Sequence, residues 1–201
     1  MTRAIHPIEV ESYEILRSRV PTADLPRWTR AVTERVIHSS ADVSYLDDLV
    51  CDEDVLAAGA TALASGAPLV VDAEMVGAGI TTYPSMCLVR DPAAAELAAR
   101  TGDTRWAAAY GLAAERVGPG AVWVVGNAPT ALFALVECAA APALVVGLPV
   151  GFVGSVESKA ALRASGLPAL TNRSEKGGSA VAAAAVNALL YGPNPLSEES
   201  T

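Results

Sequence analysis

The chain contains two histidines, His6 and His38, and histidine is the side-chain type whose ordinary pKa lies nearest to neutral pH. His38 ends an amphipathic stretch, Ala31-Val32-Thr33-Glu34-Arg35-Val36-Ile37, that is typical of a helix. In one interpretation its role is structural, because a histidine in the last turn of a helix places a favourable positive charge at the helix C-terminus. It can also donate or accept a proton in catalysis. Spacing alone leaves both interpretations of His38 open.

A second candidate site lies in the segment Gly126-Asn127-Ala128-Pro129, which follows an apolar stretch at 121–125. Asn127 can cap a helix, and Pro129 suits a first helical turn that tolerates a missing N–H. The segment therefore predicts a helix N-terminus at the carboxyl edge of a sheet, where an anion can bind. A well-capped turn without a ligand explains the same residues.

Two further loops place cations beside predicted helix N-termini. Arg173 and Lys176 precede Gly177-Gly178 and a helical stretch, and Arg105 lies in the first turn of another helix. A cation there opposes the helix macrodipole unless an anion joins it, and paired glycines let a backbone approach a ligand closely. We therefore treat these residues as candidate anion-binding residues, with an ordinary surface charge as the alternative for each arginine.

Several cofactor and metal motifs fail. The segment 77–82 begins like a dinucleotide-binding loop, but Thr82 stands where the third glycine belongs, and neither a phosphate-binding P-loop nor H-E-x-x-H occurs. Cys51, Cys87 and Cys138 are odd in number and widely spaced, which favours buried thiols over a disulfide or zinc site. The sequence predicts neither a cofactor nor a bound metal.

Composition excludes other classes of protein. The 201 residues are 52% hydrophobic and carry 14 Lys+Arg against 22 Asp+Glu, a net charge of −8, so we expect a folded protein that does not bind nucleic acid. The acidic segment 42–54 lacks the glycine and spacing of a calcium loop and is interpreted as a solvated, helix-capping face. The longest apolar stretch, 128–153, is interrupted by Glu137 and Pro142, so we expect no membrane span and a cytoplasmic protein.

Apolar strands alternate with helical stretches along the chain. Strands are predicted at 69–73, 86–89, 121–125, 143–150 and 167–171. Helices are predicted at 9–19, 24–37, 53–65, 92–101, 104–117, 129–140, 155–164 and 178–191. This alternation predicts a doubly wound α/β fold of three layers, α/β/α, with a mostly parallel sheet. We expect one domain over residues 1–191 and a flexible tail over 192–201.

Several of these segments together resemble the precorrin-8X methylmutase family of cobalamin biosynthesis. The resemblance runs from about residue 8 to 191, and its most specific motifs are G-N-A-P-T-A-L at 126–132 and P-V-G-F-V-x-x-x-E-S-K at 149–159. Further matching segments are Val36-Ile37-His38, Asp72-Ala73-Glu74-Met75-Val76, Gly79-Ile80-Thr81 and Gly177-Gly178-Ser179.

The resemblance implies an α/β/α homodimer that binds a tetrapyrrole near the subunit interface. It implies migration of a methyl group from ring carbon 11 to ring carbon 12, which converts precorrin-8X, or its cobalt form, into hydrogenobyrinic or cobyrinic acid. The family's catalytic histidine falls on His38, and its substrate-contacting positions fall on Ser12, Thr81 and Arg105. The sequence departs from the family at Thr82, where a basic residue is expected, and at Glu175, which weakens the case for Lys176.

The implied chemistry agrees with the failed motifs, because methyl migration along a conjugated ring needs no nucleophile, metal or nicotinamide. A proton or strong hydrogen bond at a ring nitrogen assists it, and an imidazole supplies one at neutral pH. Two alternatives stay open: a corrinoid carrier without catalysis, and an enzyme for a phosphorylated small molecule bound at Gly126-Asn127.

Overall fold

The computed structural model describes residues 6–138 and 140–193. Within these ranges the helices are α1 Pro7–Arg19, α2 Arg27–Ser40, α3 Tyr45–Asp48, α4 Glu53–Ala64, α5 Glu74–Gly79, α6 Pro92–Thr101, α7 Arg105–Val117, α8 Pro129–Glu137, α9 Ser155–Ala164 and α10 Ser179–Tyr191. The strands are β1 Leu49–Val50, β2 Leu69–Val71, β3 Val122–Val125, β4 Leu144–Gly147 and β5 Ala169–Asn172. No helix in the described ranges has the length and apolar character needed to cross a bilayer. Most of the predicted tail, residues 194–201, lies outside the described residues.

The five strands form one sheet in the order β1-β5-β4-β3-β2. The four strands β2 to β5 are parallel, and β1 is antiparallel to β5 at the edge. Each crossover from β2 to β5 moves one position in the same direction, so the carboxyl ends of these four strands lie along one edge. The loops at that edge therefore carry candidate ligand contacts.

Helices cover both faces of the sheet. In β3 the side chains of Val122 and Val124 belong to one buried cluster, and those of Trp123 and Val125 belong to another. The first cluster includes residues of α1, α2, α4 and α10, whereas the second includes residues of α7, α8 and α9. Because successive strand residues point to opposite faces, the two clusters are the two cores of a three-layer protein. The predicted three-layer α/β/α architecture with a mostly parallel sheet is confirmed.

Local capping explains several helix boundaries. The Asp91 carboxylate accepts a hydrogen bond from the N–H of Ala93, and Pro92 begins α6. Gly102 ends α6 in the left-handed region at φ +80°, and the Thr104 hydroxyl then caps α7. These signals are local, which is why the sequence places these boundaries correctly.

The structure differs from the predicted elements in several places. The predicted strand at 86–89 is reduced to a single parallel bridge between Met86 and Val70, because the chain turns at 88–91 into α6. The two-residue strand β1 is too short to show an alternation in sequence. The helix α5 includes Gly77 and Gly79, and a Cβ on Gly79 would lie 2.7 Å from the Cβ of Ala183 in α10. Gly79 therefore allows α5 and α10 to pack closely, whereas a Cβ on Gly77 would lie 2.6 Å from the Oγ of Ser85.

Candidate active site

His38 lies half-buried in the last turn of α2 and contacts two neighbouring residues of α1. The Oγ of Ser12 lies 2.8 Å from its Nδ1, which is hydrogen-bond distance. The ring of Tyr13 stacks on the imidazole, with ring centroids 5.0 Å apart and planes inclined by 9°. The structure thus brings together Ser12 and His38, two of the candidate site residues, from positions 26 residues apart.

A small cavity of about 110 Å³ opens beside this pair. The polar residues that line it are Ser12, His38 and Arg19. The remaining walls are mostly apolar, with Ile15 and Val43 partly exposed at 44% and 42%. A proton donor beside apolar surface and one cation suits an apolar ring that carries negative charge.

Thr81 connects indirectly to the same wall. Its Oγ1 lies 3.3 Å from the Oη of Tyr191, and the Cζ of Arg35 lies 4.9 Å from the Tyr191 ring centroid. Arg35 also pairs with Glu9 over 3.4 Å. Because Arg35 precedes His38 by one turn of α2, these contacts join the loop after α5 to the helices that hold the imidazole.

Arg105 lines a different cavity, of about 550 Å³, near the carboxyl end of β2. Arg90 shares this cavity and pairs with Glu74 over 3.2 Å. The exposed side chains of Met75 and Trp106, at 68% and 41%, form apolar parts of its wall. The cavity therefore combines apolar surface with two guanidinium groups, a combination that suits a flat ring with peripheral carboxylates.

The turn at Gly126-Asn127-Ala128 binds a carboxylate of the chain itself. Asp72 accepts hydrogen bonds from the backbone N–H groups of Gly126, Asn127 and Ala128 at 3.0, 2.7 and 2.8 Å. Burial raises the pKa of Asp72, and these three hydrogen bonds oppose that shift. The anion expected at this turn is thus Asp72, and the observation behind the phosphate alternative no longer points to an external ligand.

Asn127 also uses its side chain internally. Its Nδ2 donates to the Oγ of Ser179 over 2.6 Å, at the first residue of α10. The amide group of Asn127 thus joins the β3–α8 turn to the start of α10, and its predicted substrate contact stays a prediction.

Lys176 is bound within the protein as well. Its Nζ lies 3.0 Å from the Oδ2 of Asp42, contacts the hydroxyl of Ser44, and lies 4.3 Å from the ring centroid of Tyr45. The charge of Lys176 is therefore paired with Asp42 within the protein, and its predicted contact with a ligand anion stays a prediction. By contrast, the Arg173 side chain is exposed, and its backbone N–H donates to the Oδ1 of Asp48.

The paired glycines approach another loop of the protein. A Cβ on Gly177 would lie 2.2 Å from the backbone oxygen of Leu148, and the N–H of Gly178 donates to that oxygen over 2.9 Å. Gly177 adopts φ +153° and Gly178 φ +123°, which L side chains rarely adopt. The close approach that the structure shows is between the β4–α9 and β5–α10 loops, and the predicted ligand contacts of Gly177 and Gly178 stay predictions.

Sequence reasoning missed two charged residues that hold this loop. The fully buried Lys159 donates to the backbone oxygens of Ser174 and Lys176, each over 2.6 Å. Asp48 accepts from the backbone N–H and the hydroxyl of Ser174 at 2.9 and 2.7 Å, and from the Nδ2 of Asn172 at 2.7 Å. The Lys159 ammonium group thus binds hydrogen-bond acceptors of the loop, and the Asp48 carboxylate binds its donors.

The acidic segment 42–54 divides accordingly. Asp52 caps α4 by accepting from the N–H groups of Asp54 and Val55, as expected. Asp42 and Asp48 instead bind the loop at 172–176 and are not simply solvated. The signal for Lys159 was present in the motif Glu157-Ser158-Lys159, since a lysine on the buried face of an amphipathic helix requires a partner.

Comparison with known proteins identifies the family. The family model for precorrin-8X methylmutase matches residues 7–192. The chain belongs to the precorrin-8X methylmutase family. A methylmutase moves a methyl group within one molecule, so the chain is an isomerase, as the sequence resemblance implied.

Relatives named precorrin-8X methylmutase and relatives named cobalt-precorrin-8 methylmutase are both similar to the chain. Precorrin-8X methylmutase of Sinorhizobium sp is 42% identical over 193 residues, covering 89% of this chain and 90% of the relative. Cobalt-precorrin-8 methylmutase of Salmonella typhimurium is 42% identical over 168 residues, covering 80% of each. A crystal structure of precorrin-8X methyl mutase from Thermus thermophilus matches with a TM-score of 0.83 and 35% identity, covering 91% of this chain and 93% of the other. The methylmutase family therefore shares both sequence and fold with this chain.

Proposed function

We propose that this chain moves a methyl group from ring carbon 11 to ring carbon 12 of precorrin-8X, or of its cobalt form. The products are hydrogenobyrinic acid and cobyrinic acid, respectively. The observation that carries the proposal is the placement of His38: in a chain of this family, its imidazole is held by Ser12 and Tyr13 at the edge of a mostly apolar cavity.

In this proposal His38 is the catalytic proton or hydrogen-bond donor. The bond from the methyl group to carbon 11 breaks and the bond to carbon 12 forms, so substrate and product are isomers and no other reactant is consumed. Donation to a ring nitrogen beside the migrating group draws electron density through the conjugated system and lowers the barrier. Histidine suits this role because its ordinary pKa lies near neutral pH, so it can donate a proton there without an unusual environment.

Binding the substrate requires contacts to its carboxylates. Ser12, Thr81 and Arg105 are the proposed contacts, and Arg19 and Arg90 add cations at the two cavities. Arginine suits carboxylates because its guanidinium group can donate two parallel hydrogen bonds. The side chains of Lys176 and Asn127 are bound within the protein, so their proposed contacts require the substrate to replace Asp42 and Ser179 as their partners.

We also propose a homodimer whose second copy completes the site. The cavity beside His38 measures about 110 Å³, whereas pockets for drug-sized ligands measure about 300–1,000 Å³. A tetrapyrrole with its side chains therefore needs further walls. Two exposed apolar side chains that line the cavity, Ile15 at 44% and Val43 at 42%, are suited to a partner surface. A cytoplasmic location is part of the same proposal.

The test is a visible-absorbance assay with precorrin-8X and, separately, with cobalt-precorrin-8. We expect His38→Asn to lower kcat by about 100-fold or more, because a well-placed general acid contributes about 10²–10⁴-fold. His6→Asn is the matched control, since His6 caps α1 through its Nδ1 and asparagine also caps helices. Full activity of His38→Asn would reject the role of His38, and binding without turnover by the wild-type protein would favour the carrier alternative.

The dimer is tested by light scattering coupled to size-exclusion chromatography. Ile15→Glu should give a monomer with weakened product binding, whereas Val156→Glu, a similarly exposed position on α9 at 39%, should leave the dimer intact. A fully active wild-type monomer would contradict this part of the proposal.

A further inference from the structure

A buried carboxylate holds α1 against α2. Glu34 lies in the middle of α2, and its side chain is 1% exposed. It accepts hydrogen bonds from the Nε and Nη2 of Arg17 at 3.1 and 2.8 Å, and from the Oγ1 of Thr22 at 2.6 Å. The Nε of Arg30 donates to the same carboxylate over 2.9 Å. Two guanidinium groups and a hydroxyl thus satisfy this one buried anion.

The Arg17–Glu34 pair joins two helices with a defined geometry. Both nitrogen atoms of the Arg17 fork bind the carboxylate, one to each oxygen. Such a bidentate pair resists rotation more strongly than a single contact, and removing one partner leaves a buried charge uncompensated. The pair therefore fixes the orientation of α1, which otherwise presents mainly exposed or half-buried side chains, apart from Tyr13 and Leu16.

The same arginine contacts the residue that contacts His38. The Cζ of Arg17 lies 5.6 Å from the ring centroid of Tyr13, and the Tyr13 side chain is 2% exposed. The Tyr13 ring in turn lies nearly parallel to the imidazole of His38. A continuous set of contacts therefore leads from Glu34 through Arg17 and Tyr13 to the proposed catalytic group.

We infer that Tyr13 is a positioning residue for His38, and that the Arg17–Glu34 pair keeps Tyr13 in place. This inference rests on the proposed role of His38. Ser12 holds Nδ1 and so restrains rotation of the imidazole within its own plane, whereas the stacked phenol ring restrains the tilt of that plane. Proton donation to a fixed ring nitrogen requires both restraints, because rates fall steeply when a catalytic group is displaced.

The first experiment compares Tyr13→Leu with Tyr13→Phe. Tyr13→Phe keeps the ring and should keep kcat, whereas Tyr13→Leu removes the stacking and should lower kcat by about 10- to 100-fold. The dissociation constant for hydrogenobyrinic acid, measured by absorbance titration, should change much less than kcat. Val20→Ala is the matched control, because Val20 is buried at the end of α1 and is not among the residues that line the His38 cavity. This variant should be less stable than the wild type and keep its kcat.

A second readout follows the imidazole directly. The Tyr13 ring shields the carbon-bound protons of His38, so their NMR signals should lie upfield and move downfield in Tyr13→Leu but not in Tyr13→Phe. Glu34→Gln, which keeps the shape of the side chain, should move the same signals in the same direction by a smaller amount. This variant tests the inference even when Tyr13→Leu fails to fold.

The outcomes separate this inference from the proposed function. Wild-type kcat in folded Tyr13→Leu, or His38 signals that do not move in either variant, would overturn the positioning role of Tyr13. Full activity of His38→Asn would instead overturn the proposed function, whatever the NMR signals of the Tyr13 variants show.

Discussion

The Nζ of Lys159 lies 2.6 Å from the backbone oxygen of Lys176, at a place where the Lys159 side chain is fully buried. These two residues are the only lysines in the chain. One binds the backbone of the β5–α10 loop from within, and the other binds Asp42 with its side chain. The loop therefore depends on charged groups that the protein itself supplies.

Lys159 should make the free energy of unfolding depend on pH in the alkaline range. Burial lowers its pKa from 10.5 to about 8, and the charge of Asp48 only partly opposes the shift. Between about pH 8 and 10.5 the unfolded chain holds this proton more tightly than the folded protein does, so the free energy of unfolding rises with pH. The contribution is at most about 1.4 kcal/mol per pH unit.

Urea unfolding at several pH values from 7.5 to 10.5 measures this effect. The difference in unfolding free energy between wild type and Lys159→Met should increase with pH. A Lys159→Met difference that is constant over the range would contradict the expectation.

Gly177→Ala should destabilise the protein strongly. A Cβ at this position would lie 2.2 Å from the Leu148 oxygen, and backbone strain adds about 1–3 kcal/mol for a residue other than glycine at such a φ. Gly166→Ala is the control, because Gly166 also has a positive φ, +76°, but no atom lies within 4 Å of its added Cβ. Thermal unfolding should show a larger loss for Gly177→Ala, and equal losses would mean that the contact with Leu148 is unimportant.

Asp72→Asn should destabilise the turn before α8. The amide has one acceptor oxygen, so its NH₂ group must face at least one of the N–H groups that the carboxylate now accepts, at a cost of about 1–3 kcal/mol. Asp91→Asn is a suitable comparison, since asparagine also caps helices and Asp91 caps α6. Denaturant unfolding of both variants measures the loss. An Asp72→Asn variant with the wild-type free energy of unfolding would show that the turn does not need an anion.

Arg105→Gln should weaken substrate binding and leave the chemical step largely intact. Loss of a charge-assisted hydrogen bond costs about 1.5–3 kcal/mol, which corresponds to a rise in KM or Kd of roughly 10- to 100-fold. Arg116→Gln, at the other end of α7 and paired with Asp91 over 2.9 Å, should not change binding. Titration with hydrogenobyrinic acid measures both, and unchanged affinity in Arg105→Gln would remove Arg105 from the proposed site.

The sequence predicted the elements that local chemistry controls. Continuous apolar stretches marked β2 to β5, because strands covered on both faces bury every side chain. Asp91-Pro92 and Gly102 marked the ends of α6. The segment 86–89 was wrongly predicted as a strand because its composition suits a strand, whereas its pairing depends on the distant edge of β2.

The sequence by itself determined the family, the layer architecture and the candidate residue His38, because motifs, apolar periodicity and caps are recorded in neighbouring residues. Only the tertiary structure decided which groups satisfy one another: Asp72 fills the turn at 126–128, Asp42 takes the charge of Lys176, and Tyr13 stacks on His38. Each partner lies 25 to 134 residues away along the chain. Local pattern sets backbone conformation, but a buried charge or ring takes whichever partner the packing of distant segments brings into contact.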